Sequence, residues 1–202
     1  MLQAHNLDII QSGVSLWQEL NLSIAPGERL GIFAPSGYGK TTLGRVLAGW
    51  QPPSSGSVLL DGQRLSLNGY CPVQLIPQHP ERTFNPSRTT GAALYDVWRP
   101  EPFWLEALSI NPELLNRYPD EVSGGELARI ALLRALDPRT RYLIADEITA
   151  QLDPLMQVQV WRAIMEQSEQ RDLGLIVISH SKTLLGRICS RVWIPESQTP
   201  NF

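Results

Sequence analysis

The segment "FAPSGYGKTT", residues Phe33 to Thr42, decides the fold of this 202-residue chain. An apolar run from Leu30 leads into it, and the "KTTLGRVLAGW" that follows has Leu43 and Leu47 at helical spacing. The pattern predicts a buried strand, a glycine-containing loop and a helix, in that order. This order is the structural context that a phosphate-binding loop requires.

The glycines of this loop point to phosphate binding. Gly37 and Gly39 have no Cβ, so backbone N–H groups can come close to phosphate oxygens. The helix that starts at Lys40 adds its positive N-terminal dipole, the Lys40 ammonium can bridge the outer phosphates, and the Thr41 hydroxyl can ligate Mg²⁺. We therefore predict a nucleotide site made by the loop residues Ala34, Pro35, Ser36, Gly37, Tyr38, Gly39, Lys40, Thr41 and Thr42.

The loop departs from the usual pattern at two positions. Ala34 stands where the pattern opens with Gly, and Tyr38 stands where a small residue is expected. Ala is tolerated if its φ is negative, and a strained Ala would cost only about 1–2 kcal/mol. From this segment alone, a glycine-rich strand-to-helix turn without a ligand stays open as the alternative.

Two carboxylates follow a second apolar strand. The segment "YLIADE", residues Tyr142 to Glu147, ends with Asp146 and Glu147. Asp146 is placed to hold Mg²⁺ directly or through water, and Glu147 is placed to polarise an attacking water. Acids at strand ends are common in proteins, so the prediction depends on their partnership with Lys40.

The segment "VSGGE", residues Val122 to Glu126, begins another predicted helix. Ser123 and Glu126 have the spacing of an ordinary capping box. Gly124 and Gly125 at a helix N-terminus also make an anion site. The segment alone favours the capping box, and the order of the motifs matters more than any one of them.

The chain as a whole predicts one α/β domain. Buried strands at "VQLIPQ", "RYLIAD" and "LGLIVISH" indicate a mostly parallel sheet, and "GSVLLDGQRL" predicts a hairpin that turns at Asp61 and Gly62. Helix-forming segments broken by prolines fill about residues 83–136. We interpret them as a helical subdomain inserted into a core of about residues 1–82 and 137–202.

Composition limits the classes of function. The net charge of −3 comes without clustered Lys and Arg, so we expect no nucleic-acid partner. Cys71 and Cys189 are isolated, which fits a reducing compartment. The first residues lack the features of a signal peptide, and no apolar run approaches the roughly 20 residues needed to span a bilayer. We expect a cytosolic chain, or one attached to a membrane only through a partner.

Taken in order, the motifs resemble those of the nucleotide-binding subunits of ABC transporters over nearly the whole chain. "APSGYGKTT" is similar to the Walker A loop, "VSGGE" to the LSGGQ signature, "YLIADE" to Walker B, and "AQLD" at 150–153 to the D-loop. Gln78 resembles the residue of the Gln loop, and His180 resembles the switch histidine. The resemblance implies a P-loop NTPase (RecA-like) core with an antiparallel β subdomain and an inserted helical subdomain.

The resemblance also assigns roles in ATP hydrolysis. It implies that Lys40 and Thr41 hold phosphate and Mg²⁺, and that Gln78 senses the γ-phosphate and the metal. Glu147 would be the catalytic base, and His180 would stabilise the transferring phosphoryl group. The implied metal ligands are Thr41, Gln78 and Asp146.

The family's architecture implies several partners. Two subunits of this family clamp two ATP molecules head to tail, so Ser123, Gly124 and Gly125 would close over the ATP of an identical or related ATPase subunit. The helical subdomain would grip integral membrane permease subunits. An extracytoplasmic substrate-binding protein would belong to the same system. The implied location is the cytoplasmic face of the cell inner membrane, with peripheral attachment.

A narrower resemblance concerns the substrate. "QHPERTFNPSRTT", residues 78–90, and "RYPDEVSGGE", residues 117–126, are similar to the oligopeptide, dipeptide and nickel branch of ABC importers. This implies import of peptides, nickel or metal chelates. The alternatives are a soluble ABC-type ATPase that acts on chromosomes or ribosomes, and a weakly hydrolysing partner of a second ATPase subunit.

Several positions depart from the family pattern. Four of them lie in or beside the motifs: Glu126, Ile148, Gln151 and Ser181. The aromatic residue that stacks on adenine in this family is absent from its expected place near Ile10 or Gln11. The nearest aromatic residue is Trp17, which we predict to pack in its strand.

Three aromatic residues fall in the predicted helical subdomain: Trp98, Phe103 and Trp104. They could line a groove for the membrane partner, because aromatic anchors are enriched at the centres of interfaces. We favour the interpretation that they fill the core of the subdomain.

Overall fold

The computed structural model describes residues 1–66, 68–150 and 152–195. Four strands form an antiparallel sheet: β1 (Leu2–Gln11), β2 (Val14–Ile24), β4 (Ser55–Leu60) and β5 (Gln63–Arg64). Their order in the sheet is β2-β1-β4-β5. β4 and β5 join through Asp61 and Gly62, both with positive φ. The predicted hairpin is confirmed.

A second sheet contains five strands: β3 (Arg29–Ile32), β6 (Val73–Ile76), β7 (Tyr142–Asp146), β8 (Gly174–Ile178) and β9 (Arg191–Trp193). Their order is β6-β7-β8-β3-β9, and all four neighbouring pairs are parallel. Every residue of β7 and β8 is buried, which explains their continuously apolar sequences. Because the strands are parallel, the segments that follow β3, β6, β7 and β8 lie along one edge of the sheet.

The helices are α1 (Lys40–Leu47), α2 (Thr90–Tyr95), α3 (Phe103–Ala107), α4 (Gly124–Ala135), α5 (Pro154–Arg171) and α6 (Lys182–Ile188). Along the chain, three short 3-10 helices, at 80–83, 112–116 and 119–121, and the helices α2, α3 and α4 all fall between β6 and β7. In the described part of the chain, no helix is both long enough and apolar enough to cross a membrane. The predicted fold class is confirmed, whereas the bounds of the helical subdomain stay a prediction.

The core has two parts, one on each face of the parallel sheet. Alternate residues of β7 belong to different parts, Ile144 to one and Leu143 to the other. Ile144 shares its cluster with Leu43 of α1 and Leu7 of β1, so α1 is packed between the two sheets. Leu143 shares the other cluster with Leu133 of α4. The amino end of α1 is therefore held against both sheets at once.

The aromatic residues of the helical segment behave differently from one another. Trp104 is buried, Trp98 is partly buried, and the Trp98 indole N–H donates to the Leu133 carbonyl oxygen at 3.0 Å. Phe103 is 52% exposed and touches Trp104 at a centroid distance of 4.9 Å. The core prediction is confirmed for the two tryptophans and wrong for Phe103. As the first residue of α3, directly after Pro102, Phe103 lies outside the cluster.

Candidate nucleotide site

The loop between β3 and α1 has the backbone of a phosphate-binding loop. Gly37 and Gly39 both have φ of 81°, a conformation that side chains make costly. α1 begins at Lys40, so the unpaired N–H groups of its first turn open onto the loop. The predicted sequence of strand, loop and helix is confirmed.

The Lys40 side chain is held at the floor of this loop. It is 6% exposed, and its ammonium donates to the carbonyl oxygens of Ala34 at 2.6 Å and Pro35 at 2.8 Å. Burial lowers the pKa of the Lys40 ammonium, and the Glu147 and Asp146 carboxylates oppose that shift. The charged form of a buried ammonium is stabilised by an anion that approaches it.

The two unusual residues of the loop are both accommodated. Ala34 is buried and its φ is not in the left-handed region, so the residue is not strained. The Tyr38 ring meets the Trp17 ring edge-on at a centroid distance of 5.4 Å, and the Trp17 indole N–H donates to the Gly39 carbonyl oxygen at 3.1 Å. Trp17 is buried, as predicted, and it also supports the loop.

Asp146 and Thr41 meet where a hard cation would bind. The Thr41 hydroxyl donates to Asp146 Oδ2 at 2.7 Å. Burial raises the pKa of the Asp146 carboxyl, and the hydrogen bond from Thr41 opposes that shift. A hydroxyl and a carboxylate at this distance are the oxygen ligands that Mg²⁺ prefers, so these residues fit the metal.

Glu147 contacts two of the other predicted site residues. Its Oε1 lies 2.7 Å from His180 Nε2, and its Oε2 accepts from Gln78 Nε2 at 3.1 Å. Its backbone has φ of 53°, and its N–H donates to the Ile178 carbonyl oxygen at 3.0 Å. The left-handed turn after β7 brings the carboxylate to the residues that follow β6 and β8.

Most of these groups line one open cleft of about 360 Å³, whereas Asp146 is buried behind Thr41 and is not among the described lining residues. The lining of the cleft consists of Gln11, Leu16, Ser36, Gly37, Tyr38, Gly39, Lys40, Thr41, Thr42, Gln78, Glu147 and His180. Along the first turn of α1, Thr41 reaches Asp146 at the end of β7, while Thr42 reaches Gln11 at the end of β1. The cleft therefore runs from the edge of the parallel sheet to the antiparallel sheet.

The signature segment lies outside this cleft. Ser123, Gly124 and Gly125 are not among the described residues that line it. Ser123 caps α4, because its hydroxyl oxygen accepts from the Glu126 N–H at 3.3 Å while Glu126 Oε2 accepts from the Ser123 N–H at 3.0 Å. Hydrogen bonds from Ser123 lower the pKa of the Glu126 carboxyl. The capping box is present, and the predicted role of this segment in anion binding stays a prediction.

The departures from the family pattern have local structural roles where they are described. Glu126 completes the cap of α4, and Ile148 is buried. Ser181 caps α6, because its hydroxyl oxygen accepts from the Leu184 N–H at 3.2 Å. Gln151 lies outside the described residues.

Sequence reasoning missed two residues of the cleft. Gln11 accepts from the Thr42 hydroxyl at 3.0 Å, and Leu16 lines the same end of the cleft. The family pattern indicated only that an aromatic ring is absent near Ile10 or Gln11. Nothing in the local sequence shows that Gln11 reaches Thr42, since the contact joins residues 31 positions apart.

The two loop glycines offer a matched pair of variants. Both have the same φ, but a Cβ at Gly39 would lie 3.0 Å from Leu16 Cβ and 3.1 Å from Trp17 Nε1, whereas a Cβ at Gly37 would meet nothing within 4 Å. We expect Gly39→Ala to lower the free energy of unfolding by about 1–3 kcal/mol more than Gly37→Ala, because only Gly39 is crowded. Urea denaturation measures the difference. Equal losses would show that backbone strain alone acts here.

The fold and the cleft define a nucleotide-binding protein of the P-loop class. A family model described as "ABC transporter" matches residues 17–150. The chain belongs to the ABC transporter family, as one of its ATP-binding, ATP-hydrolysing subunits.

Individual relatives agree with this assignment. The nickel import system ATP-binding protein NikE of Staphylococcus aureus strain MSSA476 is 35% identical over 188 residues, which cover 87% of this chain and 77% of the relative. The dimeric bacterial ABC transporter cassette MJ0796 superposes with a TM-score of 0.80 at 21% identity, covering 96% of this chain and 94% of the other. CbiO1 from Clostridium perfringens, part of the transporter complex cbiONQ, superposes with a TM-score of 0.75 at 22% identity, covering 96% of this chain and 83% of the other. These two structures support the fold.

Proposed function

We propose that this chain binds and hydrolyses Mg²⁺-bound ATP to energise an importer of nickel, metal chelates or peptides. The observation that supports it best is the convergence on one cleft of Lys40, in the first turn of α1, with Glu147 and His180. The 35% identity to a protein of a nickel import system supports the transport role.

The cleft gives the triphosphate a direction. Backbone N–H groups of the loop and the first turn of α1 face the phosphates, and Lys40 binds the outer ones. Glu147 and His180 lie at the end beside the parallel sheet, so the γ-phosphate belongs there. Thr41, Asp146 and Gln78 would hold Mg²⁺, which would supply positive charge to the outer phosphates.

The proposed reaction is an attack of water on the γ-phosphorus. Glu147 takes the proton of the water as the new oxygen–phosphorus bond forms, and the bond between the γ-phosphorus and the bridging oxygen breaks to release ADP. His180 donates a hydrogen bond to the transferring phosphoryl group, and Lys40 offsets its developing charge. In the described structure His180 and Gln78 each contact one Glu147 carboxylate oxygen, and a shift of His180 towards the γ-phosphate would open its oxygen to the attacking water.

A second subunit completes the site in this proposal. Ser123, Gly124 and Gly125 lie outside their own cleft, yet the N-terminus of α4 is a suitable anion site. Head-to-tail pairing would bring it onto the partner's ATP. This pairing would give Gly124 and Gly125 a function beyond the capped start of α4.

A charge at the signature tests the pairing. Gly124→Asp adds a carboxylate in the first turn of α4, where it favours the helix dipole but would repel the partner's γ-phosphate. We expect this protein to bind ATP with unchanged affinity and to lose ATP-dependent dimerisation, measured by equilibrium binding and by gel filtration. Asp120→Asn, on the exposed segment just before the signature, is the control. ATP-dependent dimers of Gly124→Asp would contradict the head-to-tail arrangement.

The transport role has its own test. The tagged chain is purified from detergent-solubilised membranes, and the proteins that come with it are identified by mass spectrometry. We expect integral membrane permease subunits, together with a related ATPase subunit if the pair is not identical. Recovery of ribosomes or nucleic acid instead would favour a soluble ATPase. Addition of the extracytoplasmic substrate-binding protein to the reconstituted complex should stimulate ATP turnover.

A further inference from the structure

The end of the cleft farthest from Glu147 is left for the nucleoside. Glu147 and His180 fix the position of the γ-phosphate, and the triphosphate extends from there along the first turn of α1. At the other end the cleft is lined by Gln11 and Leu16 of the antiparallel sheet. The base of a nucleotide bound in this direction therefore meets Gln11.

The Gln11 carboxamide is hydrogen-bonded to α1 through its oxygen. Its Oε1 accepts from the Thr42 hydroxyl at 3.0 Å, and Thr42 lies in the first turn of α1. Within the described part of the chain, no residue accepts a hydrogen bond from its amide nitrogen, and the side chain is exposed at the mouth of the cleft. The carboxamide thus presents two N–H donors and one remaining oxygen lone pair to a ligand.

We propose that Gln11 recognises the base by hydrogen bonds and makes the site selective for adenine over guanine. A carboxamide can pair with adenine in two places, donating to N7 and accepting from the N6 amino group. Guanine presents acceptors at both N7 and O6. The carboxamide oxygen, which is also an acceptor, would then face guanine O6 and form no hydrogen bond with it. This inference rests on the proposed nucleotide-binding function and names a residue that sets its specificity.

The surroundings of Gln11 suit the flat face of a base. Val14 lies directly opposite Gln11 on the neighbouring strand and is 53% exposed, and Leu16 lines the cleft beside it. Aliphatic side chains on the same face of a sheet offer apolar contact without a preference among bases. Trp17 is buried under Tyr38 and Trp193 and offers no free face. Discrimination between bases therefore falls to the carboxamide.

Tyr38 is the rival platform, because its ring also lines the cleft. Stacking on a tyrosine would bind adenine and guanine alike, since every base has a π-face. The two explanations therefore differ in base selectivity: hydrogen bonding by Gln11 predicts a preference, and stacking on Tyr38 predicts none.

The test is equilibrium binding of three magnesium-bound nucleotides, ATP, GTP and 7-deaza-ATP, which lacks the N7 acceptor. For the unaltered protein we expect GTP and 7-deaza-ATP to bind about tenfold more weakly than ATP. Gln11→Ala should bring all three to within about twofold of one another. Gln11→Glu, which keeps the size but has no N–H donor, should lose the preference for ATP over 7-deaza-ATP and still bind GTP more weakly than ATP, because its carboxylate accepts from the adenine N6 amino group but meets only acceptors on guanine. Gln18→Ala, a glutamine exposed on β2 outside the cleft lining, should retain it.

Each outcome decides one question. A Gln11→Ala protein that keeps the tenfold preference, or an unaltered protein that binds ATP and GTP equally, overturns the role of Gln11 while leaving nucleotide binding intact. An unaltered protein without a preference, whose Tyr38→Leu variant binds all three nucleotides more weakly, would assign base binding to stacking on the Tyr38 ring instead. An unaltered protein that binds none of the three nucleotides would refute the proposed function itself.

Discussion

The Glu147→Gln protein is expected to hold ATP with little hydrolysis. The amide keeps the size of the side chain but cannot take the proton of the attacking water, and positioned bases contribute about 10²–10⁴-fold to the rate of such steps. We expect ATP turnover to fall by at least about 100-fold while ATP affinity stays within about threefold. Single-turnover hydrolysis and equilibrium binding measure the two quantities separately.

The same variant should accumulate the ATP-bound dimer. In the proposed head-to-tail pairing, hydrolysis separates the subunits, so a protein that binds ATP without cleaving it should elute as a dimer in gel filtration with ATP and as a monomer without it. Glu166→Gln, an equal change at an exposed glutamate of α5 paired with Arg162, is the control and should behave as the unaltered protein. A Glu147→Gln protein with normal turnover would show that another group is the base.

Much of the fold follows from local patterns in the sequence. Continuous apolar runs at β7 and β8 predict strands buried on both faces, and the structure has them so. The rule that parallel strands share one carboxyl edge then predicts that Asp146, Glu147 and His180 lie near the loop that follows β3. The turn at Asp61 and Gly62 was equally predictable, because its residues favour positive φ.

The remaining features depend on contacts between distant segments. Trp17 reads locally as a core residue, and only the fold shows that its indole supports Gly39 and Tyr38. Phe103 has the composition of a core residue, but its place at the start of a short helix leaves it 52% exposed. The local sequence around Gln11 does not predict that it lines the cleft, because its place there depends on the hydrogen bond with the distant Thr42.

The Lys40→Ala protein is expected to lose nucleotide binding. Lys40 is the buried cation of the cleft, and its ammonium would exchange two carbonyl oxygens, those of Ala34 and Pro35, for phosphate oxygens. Charge-assisted hydrogen bonds contribute about 1.5–3 kcal/mol each, so we expect affinity for ATP to fall by at least about 100-fold. Isothermal titration calorimetry measures this loss, and circular dichroism shows whether the protein is folded.

Lys182 supplies a control, because Lys40 and Lys182 are the two lysines of the chain. The Lys182 ammonium lies 4.7 Å from the centre of the Phe33 ring, close to the phosphate loop but outside the cleft lining, so Lys182→Ala should bind ATP normally. Lys40→Arg should not restore binding, because a planar guanidinium does not fit a site where the side chain is 6% exposed and held by two carbonyl oxygens.

Acylation of the two lysines gives an independent measurement in the unaltered protein. Saturating ATP should slow the modification of Lys40 and leave that of Lys182 unchanged, because only Lys40 would contact phosphate. Equal rates at Lys40 with and without ATP, or ATP binding that survives Lys40→Ala, would place the triphosphate elsewhere. In that case the pairing of Glu147 with His180 would be structural, since its catalytic meaning depends on a γ-phosphate that Lys40 holds beside it.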